Sequence, residues 1–382
     1  MNRTAFLYSE EFETFTYSPT HPLKPIRFRL MYELAKAYGL FQLPHARLIE
    51  PEPCTEEDLA TVHSVEYVDA VRCGAACVPE WMMQGFGLGT AENPIFPRIF
   101  SGQLIAVGAS LQAAKLVHDG EYDLAFNIAG GQHHAFKNRA SGFCYFNDVA
   151  VAIWYLLNQG CRVAYIDIDA HHGDGVQEMF YRTDRVLNIS IHESGQYLFP
   201  WTGFEREQGL GSGEGYTINI PLLPYSDDDV FCCAFDSLVP ELLELFKPDV
   251  LVTQLGVDTH GTDPLTTFGV STHGFGRVIE ALKALSPGKW VALGGGGYDV
   301  LHVPRAWTLA WAIMNGVEIP NALPDAYQRF AQQAVSMNGS RTLHDAPESL
   351  DPGIRQQNMQ ALERSLHYLR GHQVKKLKEQ LG

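Results

Sequence analysis

The chain has 382 residues, 46% of them hydrophobic and 19% charged, so it can bury a sizeable core and is not a disordered chain. Its 28 lysines and arginines against 44 aspartates and glutamates give a formal net charge of −16. This charge disfavours direct binding to nucleic acid or to an anionic membrane surface. It would attract a cationic partner such as a lysine-rich segment or a polyamine.

The cysteines and the N-terminus point to the cytoplasm. There are seven cysteines, an odd number without a Cys-x-x-Cys pair, and this argues against a disulfide framework. Cys73 and Cys77 have helical spacing, and we expect small buried residues there rather than metal ligands. Met1–Phe12 lacks the order of a signal peptide, and no apolar run has the length of a membrane span. The oligomeric state stays open, a homo-oligomer included.

Short apolar runs alternate with helical stretches along the chain. The predicted strands are Ala5–Tyr8, Leu124–Ile128, Arg162–Ile168, Val186–Ile191, Tyr216–Ile220, Val250–Leu255 and Lys289–Leu293. The predicted helices are Pro25–Tyr38, Phe100–Val117, Asn147–Leu157, Val230–Phe246 and Gly274–Leu285. Several strands are apolar on both faces, which predicts an α/β fold with helices covering a mostly parallel sheet. We expect a main domain over residues 1–317 and a polar helical tail over 318–382, with a solvated helix at 373–380.

The strongest chemical signal follows the strand that begins at Arg162. With a side-chain period of two, Asp167, Asp169 and His171 would point to the same side at the strand's carboxyl end. Such groups are costly to bury unless a cation compensates them. Carboxylate and imidazole ligands suit Zn²⁺, Fe²⁺ or Mn²⁺. Taken alone, the triplet also arises by chance or from structural ion pairing.

A second carboxylate, Asp258, follows the strand Val250–Leu255. In an open α/β sheet, ligands bind beyond the carboxyl ends of the strands, where distant segments meet. Asp258 would therefore complete a three-ligand set with Asp169 and His171, and a fourth position would stay open for water, as in catalytic sites. The alternative is an aspartate that caps a helix or a turn.

Paired histidines, His133 and His134, follow a strand and two glycines. Adjacent side chains rarely converge on one ion, so the pair suits general acid–base catalysis better than shared metal binding. Each imidazole would need a carboxylate to fix its tautomer, and Asp167 and Asp174 are available. The alternative is a packed, hydrogen-bonded structural pair.

Four glycines, Gly294–Gly297, precede Tyr298 after the last predicted strand. Glycine lets the chain turn sharply and approach a ligand closely, and no phosphate-loop pattern is present. Tyr298 could donate a hydrogen bond to a developing oxyanion, although a surface tyrosine on a turn is the alternative. Polar side chains with complementary chemical roles thus follow four predicted strands, and their combination favours one catalytic site.

At these residues the chain resembles the zinc-dependent histone deacetylase superfamily, especially class I deacetylases and bacterial acetoin-utilization relatives. The segments that carry the resemblance are Ser18–Pro25, His63–Tyr67, Gly130–His134, Ala140–Asp148, Asp167–Gly175 and Gly294–Tyr298. The resemblance spans roughly residues 5–317 and leaves the tail outside. It implies the three-layer α/β/α arginase/deacetylase fold, with residues 1–317 as the deacetylase catalytic domain.

The resemblance also implies roles for individual residues. Asp169, His171 and Asp258 would bind Zn²⁺, and His133, His134, Asp167, Asp174 and Tyr298 would be catalytic. Gln132, Gly142, Phe143, Phe199 and Leu265 would line the substrate tunnel. A first K⁺ site would involve Asp167, Asp169, His171, Ser190 and Ile191, and a second Phe180, Thr183, Val186 and Tyr216.

The implied activity is zinc-dependent hydrolysis of N-acetyl-lysine, or another N-acyl-lysine, in proteins or peptides. The alternatives are hydrolysis of an acetylpolyamine or other small acetylated amine, non-catalytic binding of acyl-lysine, and an arginase-like dimetal hydrolase. Two positions depart from the family pattern. Ala91 or Glu92 stands where peptide-binding members usually have an aspartate, and Gln132 stands where an apolar residue is common.

Overall fold

The computed structural model describes residues 3–14, 17–18, 20–76, 78–336, 339–346 and 350–381. The strands are β1 (Thr4–Leu7), β2 (Ala46–Ile49), β3 (Leu124–Asn127), β4 (Val163–Asp167), β5 (Val186–Glu193), β6 (Thr217–Leu222), β7 (Val250–Gln254) and β8 (Trp290–Leu293). The first helices are α1 (Ile26–Ala37), α2 (Glu56–Leu59), α3 (Val65–Cys73), α4 (Glu80–Gly85), α5 (Ile99–His118), α6 (Asp148–Asn158) and α7 (Asp174–Phe180). The later helices are α8 (Asp228–Phe246), α9 (Thr272–Leu285), α10 (Val303–Asn315), α11 (Asp325–Val335), α12 (Pro352–Leu369) and α13 (Lys375–Leu381).

The eight strands form one sheet in the order β2-β1-β3-β8-β7-β4-β5-β6, and every pair of neighbours is parallel. The carboxyl ends of all strands therefore lie at the same edge of the sheet. The four strands β3, β8, β7 and β4 are consecutive neighbours at its centre. These are the strands that precede the paired histidines, Tyr298, Asp258 and the Asp167–His171 segment, so the topology brings the predicted chemistry together.

Helices cover both faces of the sheet. On one face α5 packs against α6, which contacts α7, and on the other α1, α10, α9, α8 and α12 follow one another in contact. The predicted α/β/α layers are confirmed. Local sequence explains the helix ends: α1 begins after Pro25, and Gly39 adopts the left-handed conformation (φ +74°) that glycine tolerates just after a helix.

The segment after residue 317 is helical and partly buried. The side chains of α12 and α13 that join the main core are Leu362, Leu366, Leu369 and Leu377. The predicted helix at 373–380 is only half solvated, because Gln373, Val374 and Leu377 are buried against the domain. The boundary at residue 317 stays a prediction.

Most of the described cysteines are free thiols, but Cys73 is disulfide-bonded, contrary to the argument against disulfides. It is also only half-buried, so our expectation of a small buried residue is wrong there. Cys77 lies outside the described residues. Among the described residues, we find no helix with the length and apolar character needed to cross a membrane.

Candidate active site

The sequence predicts Asp167, Asp169 and His171 on one side of an extended strand, but the chain leaves the sheet before His171. Strand β4 ends at Asp167, so Asp169 and His171 lie on the loop that leads to α7. Successive bonds shape this loop: the Asp169 N–H donates to Asp167 (3.2 Å), and the His171 N–H donates to Asp169 (2.9 Å). These bonds, and not strand alternation, place the Asp169 and His171 side chains.

Asp169, His171 and Asp258 form a buried cluster. The His171 Nδ1 atom lies 3.1 Å from an Asp169 oxygen and 3.0 Å from an Asp258 oxygen. One potential ligand atom from each residue lies within 4.8 Å of the other two. Two carboxylates and an imidazole in this arrangement form a suitable ligand set for a divalent transition metal.

Neighbouring groups hold the two carboxylates in place. The Gln254 side-chain amide and the Gly296 N–H donate to Asp169 Oδ2, at 2.7 and 2.8 Å. The Ala170 N–H donates to Asp258 Oδ1 at 2.8 Å. A Cβ at Gly296 would lie 2.0 Å from Asp258 and 2.7 Å from Asp169, so only glycine fits there.

Burial and mutual contact perturb the pKa values of this cluster. Burial disfavours the charged imidazole of His171, but the two carboxylates outweigh it and raise its pKa well above the ordinary value. Burial and the neighbouring Asp169 raise the pKa of Asp258 to about 6. The protein thus concentrates negative charge at buried side chains, and a bound cation would compensate it.

The paired histidines each contact a different carboxylate, as the sequence suggested. His133 Nδ1 lies 2.7 Å from Asp167, and His134 Nδ1 lies 2.7 Å from Asp174. These contacts leave the Nε2 atoms free to face the pocket, and His133 Nε2 lies 3.9 Å from Asp169. Both imidazoles are therefore positioned for proton transfer beside the acidic cluster.

Tyr298 lies on the glycine loop after β8 and lines the same pocket. Its backbone N–H donates to Asp263 at 2.7 Å, and its ring contacts Phe143 edge to face. Burial and the carboxylates of Asp258 and Asp169 raise the pKa of the phenol well above its ordinary value. The hydroxyl therefore stays protonated at neutral pH and can donate a hydrogen bond.

The pocket holds about 690 Å³, its open mouth included. His133, His134, Asp169, His171 and Tyr298 line it together. Phe12, Arg27, Phe28, Gln103 and Ala106 also line the pocket, and all five are less than 10% exposed.

Three of the predicted tunnel residues, Gln132, Gly142 and Phe143, line this pocket, whereas Phe199 and Leu265 are not among its lining residues. Phe143 and Gln132 line it, and Phe199 packs against the His134 ring with centroids 5.0 Å apart. A Cβ at Gly142 (φ +52°) would lie 2.4 Å from the His134 ring, so glycine allows close packing. Leu265 is half-buried, and its N–H donates to Asp263.

The predicted potassium-site residues form two groups. Asp167 and Ser190 are paired across β4 and β5, close to Asp169, His171 and Ile191. The second group lies near the start of β5: the Thr183 N–H donates to the Phe180 carbonyl, and the Asn188 N–H to that of Tyr216. The fourth residue of that group, Val186, begins β5.

Several site residues were not predicted. Gln254 donates to the predicted metal ligand Asp169, and Asp263 accepts from the Tyr298 N–H. Asp148 accepts from the N–H groups of Gly131 and Gln132, just before the paired histidines. Arg27 donates to the Gly297 carbonyl at 2.7 Å. These contacts join segments far apart in sequence. One local indication was present in the sequence: Gln254 lies in the predicted strand Val250–Leu255, and Asp148 ends the segment Ala140–Asp148 that carries the family resemblance.

Comparison with known proteins identifies the family. The histone deacetylase domain model matches residues 21–314, which is more than half of the chain. The chain belongs to the histone deacetylase family. Family membership makes it a deacetylase-type hydrolase with the arginase/deacetylase-like fold, as the sequence predicted.

Individual relatives agree with this assignment. The acetoin utilization protein AcuC of Bacillus subtilis is 37% identical, over 98% of this chain and 99% of its own length. Histone deacetylase 1 of Homo sapiens is 37% identical over 84% of this chain and 66% of its own length. The crystal structure of an HDAC homolog from Aquifex aeolicus superposes with a TM-score of 0.85 at 34% identity, covering 96% of this chain and 99% of that one. An HDAC homolog complexed with SAHA superposes with a TM-score of 0.87 at 33% identity, covering 97% and 100%.

Proposed function

We propose that the protein is a zinc-dependent deacylase that hydrolyses N-acetyl-lysine, or another N-acyl-lysine, in cytoplasmic proteins or peptides. One observation carries the proposal. A buried cluster of two carboxylates and one imidazole lies in a pocket that is also lined by two carboxylate-paired histidines and a protonated tyrosine.

The ligand set fits a metal. Asp169, His171 and Asp258 offer oxygen and nitrogen ligands, and three protein ligands leave a coordination position for substrate or water. When bound, Zn²⁺ supplies Lewis acidity toward the acyl carbonyl and the attacking water. K⁺ at the two predicted sites would have a structural role, since the first set shares Asp169 and His171 with the predicted zinc ligands.

The remaining side chains perform the proton transfers. One histidine of the pair accepts a proton from water as it attacks the carbonyl carbon, and a protonated histidine later donates to the departing lysine amine. Asp167 and Asp174 hold the imidazoles in the required orientation through their Nδ1 atoms. Tyr298 donates a hydrogen bond to the developing oxyanion, which contributes roughly 3–4 kcal/mol for one well-placed donor.

A small acetylated amine, such as an acetylpolyamine, is the second candidate substrate. The net charge of −16 favours a small cation. Where peptide-binding relatives have an aspartate that contacts the peptide backbone, this chain has Ala91 or Glu92, both exposed. The same negative charge would also attract lysine-rich protein segments. Direct competition between an acyl-lysine peptide and an acetylated polyamine therefore decides which substrate the protein prefers.

The test is turnover of an acetyl-lysine peptide and of acetylated polyamines by the same metal-analysed sample. We expect peptide hydrolysis that requires bound zinc and is inhibited by the hydroxamate SAHA. Tyr298→Phe should lower kcat roughly 10²–10³-fold, as expected for loss of an oxyanion donor. Zinc-loaded protein that turns over no acylated amine would refute the proposal. Binding without turnover, unchanged in Tyr298→Phe, would instead favour a non-catalytic acyl-lysine-binding protein.

A further inference from the structure

The loop after β5 packs one of the predicted tunnel residues against the active site. The Phe199 ring contacts the rings of His134 and His171 edge to face, with centroids 5.0 and 6.4 Å apart. We call residues 198–204 the Phe199 loop. Its conformation therefore bears on a proposed catalytic histidine and on a predicted metal ligand.

The backbone of the Phe199 loop adopts a conformation that is costly for its residues. Trp201 has φ +69°, in the left-handed region that bulky residues rarely adopt, and its side chain is 60% exposed. Its N–H donates to the Leu198 carbonyl at 3.2 Å. Because an exposed side chain gains little packing to offset this strain, other contacts must hold the loop in place.

Glu207 supplies such contacts. Its carboxylate accepts from the N–H groups of Gly203 and Phe204, each at 3.1 Å. The same carboxylate accepts from the side-chain amide of Gln177 at 2.7 Å. Gln177 lies on α7, so a single carboxylate joins the Phe199 loop to the helix that follows the predicted metal ligands.

Gln177 extends the link to the segment that carries those ligands. Its Oε1 atom accepts from the Asn219 amide at 2.7 Å and from His172 Nε2 at 3.0 Å. His172 Nδ1 accepts in turn from the Thr202 hydroxyl at 2.9 Å. Because His172 directly follows His171, the hydrogen bonds run from the Phe199 loop to the metal-ligand segment and back to the loop.

Gly203 brings the two segments into direct contact. A Cβ at Gly203 (φ +83°) would lie 2.3 Å from His192 Nε2 and 2.6 Å from the His172 ring, so only glycine allows this approach. The side chains of His172, Gln177 and Asn219 are all buried. Water therefore competes little for these hydrogen bonds, which makes each of them stronger than it would be at the surface.

We propose that Glu207 and Gln177 are positioning residues that hold the Phe199 loop in its substrate-binding conformation. The inference rests on the proposed deacylase function. If the loop leaves this conformation, only the remaining fraction of molecules binds substrate, and the apparent affinity falls by that fraction. Saturating substrate selects the binding conformation again. Loss of the contact should therefore raise KM and leave kcat nearly unchanged.

An exchange of the two side chains tests this bond pattern. In Glu207→Gln, either orientation of the new amide places an NH₂ group against another N–H donor, that of Gln177 or those of the loop. In Gln177→Glu, two carboxylates meet. In the double variant, the new carboxylate at position 177 accepts from Asn219, His172 and the new amide at position 207. The oxygen of that amide still accepts from the loop N–H groups, so every bond is restored.

Two readouts are expected to move together. In zinc-loaded protein, each single variant should raise KM for an acetyl-lysine peptide about tenfold or more, with kcat within about twofold, and the double variant should restore KM. In metal-free protein, the amide hydrogens of Gly203 and Phe204 should exchange with solvent at least about tenfold faster in each single variant and near the wild-type rate in the double variant.

Glu205 provides the matched control. It lies two residues before Glu207, but its carboxylate accepts from the Ser365 hydroxyl of α12 at 2.8 Å. Glu205→Gln removes the same charge and keeps that acceptor, so KM and hydrogen exchange of the loop should stay at wild-type values. A rise in KM equal to that of Glu207→Gln would overturn the inference, because the lost charge alone would then explain it.

The outcomes separate this inference from the proposed function. Acetyl-lysine turnover with KM unchanged in both single variants, or a double variant no better than the weaker single one, would overturn the inference and leave the deacylase function intact. If a single variant does not fold, the double variant decides: wild-type KM supports the inference, and failure to fold rejects it. If wild-type protein turns over no acylated amine, calorimetric binding of SAHA to zinc-loaded protein decides. Affinity about tenfold weaker in each single variant and restored in the double variant supports the inference, and equal affinity rejects it.

Discussion

Acidification should destabilise the fold through His63, a buried histidine that joins three segments. Its Nε2 atom accepts from the Asn147 N–H at 2.9 Å, and its Nδ1 atom lies 3.2 Å from the Lys137 carbonyl, to which it donates. A proton on Nε2 would face another N–H group. Burial accordingly lowers the pKa of His63 from 6.5 to about 4.

Proton linkage gives the direction and the magnitude of this effect on the free energy of unfolding. Between pH 6.5 and 4 the unfolded chain binds a proton at His63 and the folded protein does not, so stability falls as the pH falls. The full effect is about 3 kcal/mol, and about 2 kcal/mol of it is lost between pH 7 and pH 5. Below pH 4 both states are protonated and the effect levels off.

The assay is the free energy of unfolding of the wild type and of His63→Gln, measured in denaturant from pH 7 to pH 4.5. Glutamine can make both hydrogen bonds but does not titrate. Other groups contribute equally to both proteins, so the difference between the two pH profiles reports His63 alone. We expect the wild type to lose about 2 kcal/mol more than the variant between pH 7 and pH 5. Parallel profiles would refute the reasoning.

Two further predictions concern groups next to the active site. Gln254→Leu removes the amide that donates to Asp169 at 2.7 Å, and we expect zinc affinity to fall about 10–100-fold in competition titrations with a chelator. Asp345→Asn removes the carboxylate that lies 2.8 Å from Arg305, which is buried. We expect the free energy of unfolding to fall by about 2–4 kcal/mol, and a loss below 0.5 kcal/mol would contradict a structural ion pair.

Sequence patterns predicted the fold where local physics dominates. Seven strands were found with ends within two residues of those predicted, and several of them are apolar on both faces. The strand β2 was missed because it lies at an edge of the sheet, where Arg47 and Leu48 are exposed and the run is not continuously apolar. The half-burial of the last helix was missed because its sequence is dominated by charged and polar residues.

For the site, the sequence indicated which residues meet but not how they are held. Parallel topology alone predicts that Asp258 and the Asp169–His171 loop share one edge, since β7 and β4 are neighbours. The donors to Asp169 come from Gln254 and Gly296, which are 85 and 127 residues away in sequence. No local periodicity encodes such contacts, because they depend on the tertiary packing of separate loops.

The C-terminal segment bears on the site although it lies beyond the family match at residues 21–314. Asp345 contacts His260 Nε2 at 3.0 Å, and His260 is two residues after Asp258. The same carboxylate accepts from the Thr272 N–H at the start of α9 and pairs with Arg305 of α10. Ending the chain at residue 317 would leave that buried guanidinium without its carboxylate and expose the apolar side of α8. The tail therefore helps to fix the loop that carries a predicted metal ligand, and the catalytic unit is better defined by these contacts than by the extent of the family motifs.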